Sequence, residues 1–365
     1  MHLTLHLTDT CNLACKYCYV NQSVHNMSLE VAKAAIDMAS KQPGHTGIIF
    51  FGGEPLLRRQ IIYDTVHYAD SMTPPNKFHF KITTNGMLLD REFLSFSQEH
   101  EIFIALSHDG VAQDVNRVTH DDCGTFDRVN NAAKELLNIR PYAPAMMTIA
   151  PNTAKFYAQG VQYLYELGFR YLICSLDYAG NWTEQDLQIL KQQYEILSHW
   201  YETLTLREEK FYFSPFEVKI SSHIRGKNHC AERCELGKKQ ISVAPDGKLY
   251  PCVQFVGREE YCIGDVFSGI DSEKQRKLYL LNEKEKIPCR DCAIKNRCNR
   301  HCACLNMQST GNLRTVSPVL CANERMLLPL VDRLAERLFK NRSGAFIQKQ
   351  YNDMYPVISY IDDHI

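Results

Sequence analysis

Three cysteines fall within eight residues near the start of the chain, Cys11, Cys15 and Cys18 in the run CNLACKYC, and the next is Cys123. Thiolates this close in sequence can meet at one metal centre, and such a centre dictates the path of the loop that holds it. Structural zinc prefers four ligands in paired C-x2-C knuckles. A trio with no near partner suits a cubane iron–sulfur cluster with one iron left open to an exchangeable ligand. What fills that fourth position is the first question the chain poses.

The other cysteines are unevenly placed. Of 15 in all, two stand singly at Cys123 and Cys174 and ten fall between Cys230 and Cys321. An odd count, in a 365-residue chain with no secretory signal, does not read as a disulfide framework. It points to metal or cluster ligation in a reducing, cytoplasmic setting. No apolar run reaches the roughly 20 residues of a membrane span. With 41 basic and 42 acidic residues there is no electrostatic reason to bind nucleic acid or anionic lipid.

Strand-like and helix-like segments alternate through the first half. Strands are expected at 3–7, 47–51, 78–84, 102–107, 145–149 and 170–175, and helices at 29–40, 59–71, 90–96, 127–139, 154–167 and 184–206. Ser28 suits an N-cap and Gly168 a helix stop. Six such βα units on a parallel sheet make an open, partial barrel or a doubly wound sheet, and either puts its ligands at the C-terminal strand ends. The polar turns sit there: the cysteine trio after strand one, Gly52–Pro55 after strand two, Thr84–Gly86 after strand three, Ser107–Gly110 after strand four, and Ser175–Asp177 ending strand six.

From near Phe216 the chain is turn-rich, with a hairpin expected around Asp246-Gly247 and an amphipathic helix over 321–339 interrupted by Pro329. The last 25 or so residues carry no readable signal. In the cysteine-rich stretch, the Cys289/Cys292 and Cys298/Cys302 pairs also admit zinc on spacing alone.

The Cys11-x3-Cys15-x2-Cys18 spacing, with Tyr17 just before the third cysteine, resembles the signature of the radical S-adenosylmethionine (radical SAM) enzymes. The resemblance implies that the missing ligand is the cofactor, whose methionine amino and carboxylate groups chelate the open iron. Reductive cleavage of S-adenosylmethionine then yields a 5′-deoxyadenosyl radical that abstracts hydrogen from the substrate. By the same resemblance Tyr17 belongs to the cofactor-binding loop and Gly52, Gly53 and Glu54 form the methionine-amine motif. Ser107 contacts the cofactor, Arg117 faces its carboxylate with a bidentate fork, Leu176 contacts the adenosine, and Thr84 and Asn85 touch cofactor or ribose.

The late cysteines, with Gly247 spaced between Cys234 and Cys252, resemble the SPASM extension of peptide- and protein-modifying radical SAM enzymes, which holds two auxiliary [4Fe–4S] clusters. By analogy with the sulfatase-maturing members, the first takes Cys230, Cys234, Cys252 and Cys302, and the second Cys289, Cys292, Cys298 and Cys321, giving three clusters in all. Cys262 and Cys304 remain as reserve ligands, and Cys123 and Cys174 are expected to be buried small hydrophobes.

The implied architecture is a partial (β/α)6 TIM-like radical SAM barrel over 1–215, a SPASM domain over 216–325, and a C-terminal helix and tail over 326–365. The implied function is a maturase that gives a crosslinked (thioether or carbon–carbon) or oxidised ribosomal peptide. The alternative is formylglycine formation, as in the anaerobic sulfatase-maturing enzymes. That subgroup has an aspartate base directly after the cysteine of its YPC turn, where this chain has Val253 and then Gln254, neither able to take a proton. No general base is identified. Expected partners are a precursor peptide or protein and a reducing protein such as flavodoxin or ferredoxin. With Cys11 so near the start, a leader peptide is expected to bind the barrel, the C-terminal tail or a separate leader-binding protein.

Overall fold

The computed structural model describes residues 2–72, 78–226 and 234–364. Cys230 lies outside them. Eleven strands run through the described residues: β1 His2–His6, β2 Thr46–Phe51, β3 Phe78–Thr84, β4 Phe103–Ser107, β5 Pro144–Ile149, β6 Tyr171–Leu176, β7 Tyr212–Phe213, β8 Gln240–Val243, β9 Lys248–Tyr250, β10 Gly264–Asp265 and β11 Gly269–Ile270. The chain divides into two compact units.

The first unit comprises Met1–His108, Gln113–Ala143 and Glu235–Lys284. In it β1, β2, β3 and β4 pair in parallel and in chain order. Helices Leu29–Ser40, Arg59–Asp70 and Arg91–Glu99 return the chain between them. Unbroken chain order is the barrel-type winding; from β1 to β4 the order never reverses as a doubly wound sheet requires. Inward residues alternate along each strand, so Leu3, Leu5, Ile48, Phe50, Ile82 and Ile104 are all but sealed from solvent. The Ser28 hydroxyl accepts from the Val31 N–H at 3.2 Å, capping the first helix as expected. Asp90, expected inside a helix, caps one instead: its carboxylate accepts from the Phe93 N–H at 3.0 Å, because a short acidic side chain satisfies an end donor better than it tolerates a helix interior.

The hairpin around Asp246-Gly247 is β8–β9, and β8 lies parallel beside β1 on the side away from β2. Sequence periodicity carries no signal for that pairing, since the partners stand more than 200 residues apart.

The second unit comprises Asp109–Ala112, Pro144–Cys234 and Glu285–Ile365. Strands β5, β6 and β7 pair in parallel, and helices Tyr157–Leu167 and Glu184–Leu206 join them. Pro329 does not interrupt the C-terminal helix, which runs unbroken over Pro318–Lys340 from a Ser317 cap. A proline costs a helix interior about 3 kcal/mol. Here the buried stripe Leu327, Leu328, Val331, Leu334 and Leu338, packed on the Glu184–Leu206 helix, outweighs it. The unread C-terminal stretch forms two more helices, Gly344–Tyr351 and Tyr355–His364.

Candidate cofactor and cluster sites

The loop carrying Cys11, Cys15 and Cys18 is laced to three neighbouring segments of the first unit. At its start, the N–H groups of Gly53 and Glu54 donate to the carbonyls of Thr8 and Thr10 at 2.8 and 3.0 Å. In its middle, Ala14 and Lys16 donate to the carbonyls of Val118 and Asn116 at 2.8 and 2.9 Å. From β3, the Asn85 amide donates to Asn12 Oδ1 at 2.8 Å and lies 3.7 Å from Cys11 Sγ. A Cβ at Gly53 would collide with the Thr10 carbonyl, and one at Gly52, where φ is 131°, with that of Thr8. This close approach of two backbones is why the turn after β2 needs paired glycines.

Glu54 is fully buried. Its Oε1 accepts from the Leu56 N–H at 3.0 Å and the Thr84 hydroxyl at 2.7 Å, and its Oε2 accepts from the Asn85 N–H at 2.8 Å. The carboxylate thus pins the end of β3 to the end of β2. Burial pushes its pKa up to about 7, against the opposing pull of those three bonds. A buried carboxyl whose folded pKa is raised adds most stability below the ordinary carboxyl range and loses it as pH rises through about 7. From the ordinary 4.5 that window is worth about 3 kcal/mol. Anaerobic thermal midpoints measured from pH 5 to pH 8 should therefore fall more steeply for the wild type than for Glu54→Gln; parallel slopes would contradict this assignment.

Cys11 is half-buried, and burial pushes its thiol up to about 12, with Glu54, Cys15 and Cys18 adding to the rise. Three thiolates beside a carboxylate need a shared cation to stay charged. The Leu13 N–H donates to Cys11 Sγ at 3.4 Å, and would keep that ligand sulfur hydrogen-bonded if a cluster were bound. No three ligating side chains among the described residues converge tightly enough to hold a metal ion as they stand, but Cys11 has the thiols of Cys15 and Cys18 within electrostatic reach, and thiolates are the donors an iron–sulfur cluster takes.

Arg117, which follows the Gln113–Asn116 helical turn, is buried, with its guanidinium over the Tyr17 ring at 5.4 Å. It therefore packs on the residue that precedes the third cysteine. Ser107 closes β4, next to His108, whose Nε2 is 2.8 Å from Asn130 Oδ1. Leu176 ends β6 in the second unit and lines a cavity of about 130 Å³ there, with Cys174, Tyr178, Tyr194, Lys219 and Glu324 among the other walls. Two residues near the trio escaped sequence reasoning: Asn12, inside the motif, and His120, whose Nε2 is 2.9 Å from the Cys11 carbonyl oxygen. Proximity to the motif could have found the first; nothing in the sequence marks the second.

Among the late cysteines, Cys289, Cys292, Cys298 and Cys321 lie in the second unit within electrostatic reach of one another, although they come from a loop and a helix start. Cys302 and Cys304 stand 3.4 Å apart, sulfur to sulfur. Hydrogen bonds from Cys234 and Cys304 hold the Cys302 thiol well below its ordinary value. Cys252 belongs to the first unit, at the turn that follows β9. Cys123 is exposed, not buried: it lies in a turn closed by the Val118–Gly124 bridge, too short to bring it inward. Cys174 is half-buried on β6, 4.0 Å from Met147 Sδ.

Residues 5–188 match the model of the radical SAM superfamily, and residues 234–293 match that of SPASM, an iron-sulfur cluster-binding domain. A cysteine-type anaerobic sulfatase-maturating enzyme of Clostridium perfringens is 24% identical over 323 residues, covering 80% of this chain and 85% of that one. The structure of anSMEcpe with bound AdoMet and a Cp18Cys peptide superposes with a TM-score of 0.81 at 20% identity, over 93% of this chain and 98% of that one. Streptococcus suis SuiB bound to its precursor peptide SuiA gives a TM-score of 0.64 at 15% identity, over 88% of this chain and 75% of that one. The fold is the mixed α/β fold these structures share, with a C-terminal cluster-binding domain. No helix among the described residues is long and apolar enough to cross a membrane.

Proposed function

Because the chain belongs to the radical SAM superfamily, is therefore an enzyme, and carries a SPASM domain, we propose that it is a maturase acting on a peptide or protein side chain. The observation that carries this reading is the three-cysteine loop tied by hydrogen bonds to the turn after β2 and to Asn85 at the end of β3, with no fourth cysteine nearby in sequence. In this reading Cys11, Cys15 and Cys18 hold a [4Fe–4S] cluster whose open iron takes S-adenosylmethionine. When bound, the pair supplies an electron-triggered radical that removes hydrogen from the substrate.

The chain's own residues orient the cofactor. Carbonyls of the Gly52–Gly53 turn accept from its ammonium, and Glu54 fixes that turn relative to Thr84 and Asn85. Arg117 offers its fork to the carboxylate, steadied by the Tyr17 ring. Ser107 adds a further cofactor contact, and the family's pattern assigns Leu176 to the adenosine. The family's cysteine pattern assigns Cys230, Cys234, Cys252 and Cys302 to one auxiliary cluster, and Cys289, Cys292, Cys298 and Cys321 to the other.

The likeness to SuiB, and to anSMEcpe with its peptide, supports a peptide or protein substrate. The likeness to sulfatase-maturating enzymes over most of the chain favours formylglycine as a second reading. Against it stands the short turn Val253–Phe255 after Cys252, which offers no carboxylate. Crosslinking or oxidation of a ribosomal peptide therefore leads.

The test is anaerobic reconstitution with dithionite and S-adenosylmethionine, scoring iron, 5′-deoxyadenosine and product on two peptides: a sulfatase-type Cys/Ser peptide and one from a small reading frame beside the gene. About twelve irons per chain, four for each cubane, with cofactor cleavage is the expected result. Three loaded clusters and no cleavage would overturn the reading, and an aldehyde on the sulfatase peptide would favour formylglycine.

A further inference from the structure

Resting on the ligand set proposed above, we infer that Arg325 is a tuning residue for the second auxiliary cluster, its guanidinium donating hydrogen bonds to two of that cluster's cysteine sulfurs. Arg325 stands one helical turn beyond Cys321 on the Pro318–Lys340 helix, so both side chains project from one face. Its Nε lies 3.4 Å from Cys321 Sγ and its Nη2 3.8 Å from Cys292 Sγ. The fork thus bridges a cysteine from the helix and one from the loop before it. No carboxylate is paired with Arg325 among the ion pairs of the described residues, whereas the nearby Arg297 is committed to Asp332 at 2.6 and 2.8 Å.

The physical consequence concerns charge. One-electron reduction of a thiolate-bound cubane adds a negative charge, part of which spreads onto the cysteine sulfurs. Two N–H donors carrying a positive charge stabilise the reduced form more than the oxidised one, so they raise the reduction potential. A lysine could keep the charge but not the two-point geometry. Because Arg325 is exposed, bulk salt weakens its through-space attraction, and the directed hydrogen bonds carry the effect. By this effect Arg325 makes the cluster easier to reduce, suited to receiving the electron left after hydrogen removal.

The experiment is a dithionite titration of the fully reconstituted enzyme, followed by electron paramagnetic resonance, on wild type, Arg325→Lys and Arg325→Met. The expected order of second-cluster potential is wild type highest, Arg325→Lys intermediate and Arg325→Met lowest, with iron content and the other two clusters' signals unchanged. Raising salt should shift Arg325→Lys more than the wild type. Equal potentials in all three proteins, or a wild type that never binds this cluster, would overturn the inference while leaving cofactor cleavage intact. Loss of iron in Arg325→Met with an unchanged potential in Arg325→Lys would also overturn it, marking Arg325 as structural only. Failure of cofactor cleavage alongside the expected shift would sink the maturase reading and spare this one.

Discussion

Cys15→Ala is expected to abolish formation of 5′-deoxyadenosine, by more than about a hundredfold, since loss even of groups that merely support a metal ligand costs about 10–100-fold. Cys15 is the middle thiol of a loop whose neighbours on both sides, Ala14 and Lys16, are already anchored by backbone hydrogen bonds to Val118 and Asn116. The loop has no slack with which to offer another ligand, and the exposed Cys123 sits in its own closed turn. Cys289→Ala provides the contrast. It removes a thiol from the second unit, so some cofactor cleavage should survive while peptide product is lost. Parallel loss of both activities in Cys289→Ala would argue against separate roles for the two sets of cysteines. Assay of cofactor cleavage and product on the same reconstituted samples makes the distinction.

Lys219→Met should cost about 3–5 kcal/mol of stability, the range for stripping one partner from a buried ion pair. Lys219 Nζ lies 2.8 Å from Glu324 Oε1, and both side chains are almost wholly buried. Glu324 also accepts from the Asn299 N–H at 3.3 Å, beside Cys298, so the pair ties the Ser214–Ile224 helix to the cysteine-bearing loop. Without the ammonium, Glu324 would be left charged and almost wholly buried, with the Asn299 N–H too weak a donor to replace it. Anaerobic urea midpoints should drop sharply for the single variant and recover largely in Lys219→Met/Glu324→Leu, where neither charge remains. A single variant as stable as the wild type would contradict this account.

Much of the secondary structure in both units was legible because its signals are local. The helix bounds 29–40 and 184–206 and the strand 78–84 coincide with the observed elements, since amphipathic periods and caps such as Ser28 and Thr183 act within a turn or two. The turns after β1 to β4 were legible for the same reason: glycines and small polar residues directly after an apolar strand mark where the backbone turns.

What the sequence by itself determined is the placement of its chemistry: a three-cysteine arc after β1, paired glycines after β2, and a later cysteine series whose spacing matches cluster-binding relatives. Tertiary structure alone decided which residues serve that chemistry from a distance. Glu54 turned inward to bind Thr84 and Asn85, β8 came to lie beside β1, Pro329 was carried within an unbroken helix, and Arg325 reached two sulfurs at once. The physical reason is range. Propensity, capping and turn chemistry act over a few residues, whereas desolvation, parallel pairing and hydrogen bonds across a packed core depend on neighbours that become adjacent only when the chain has folded.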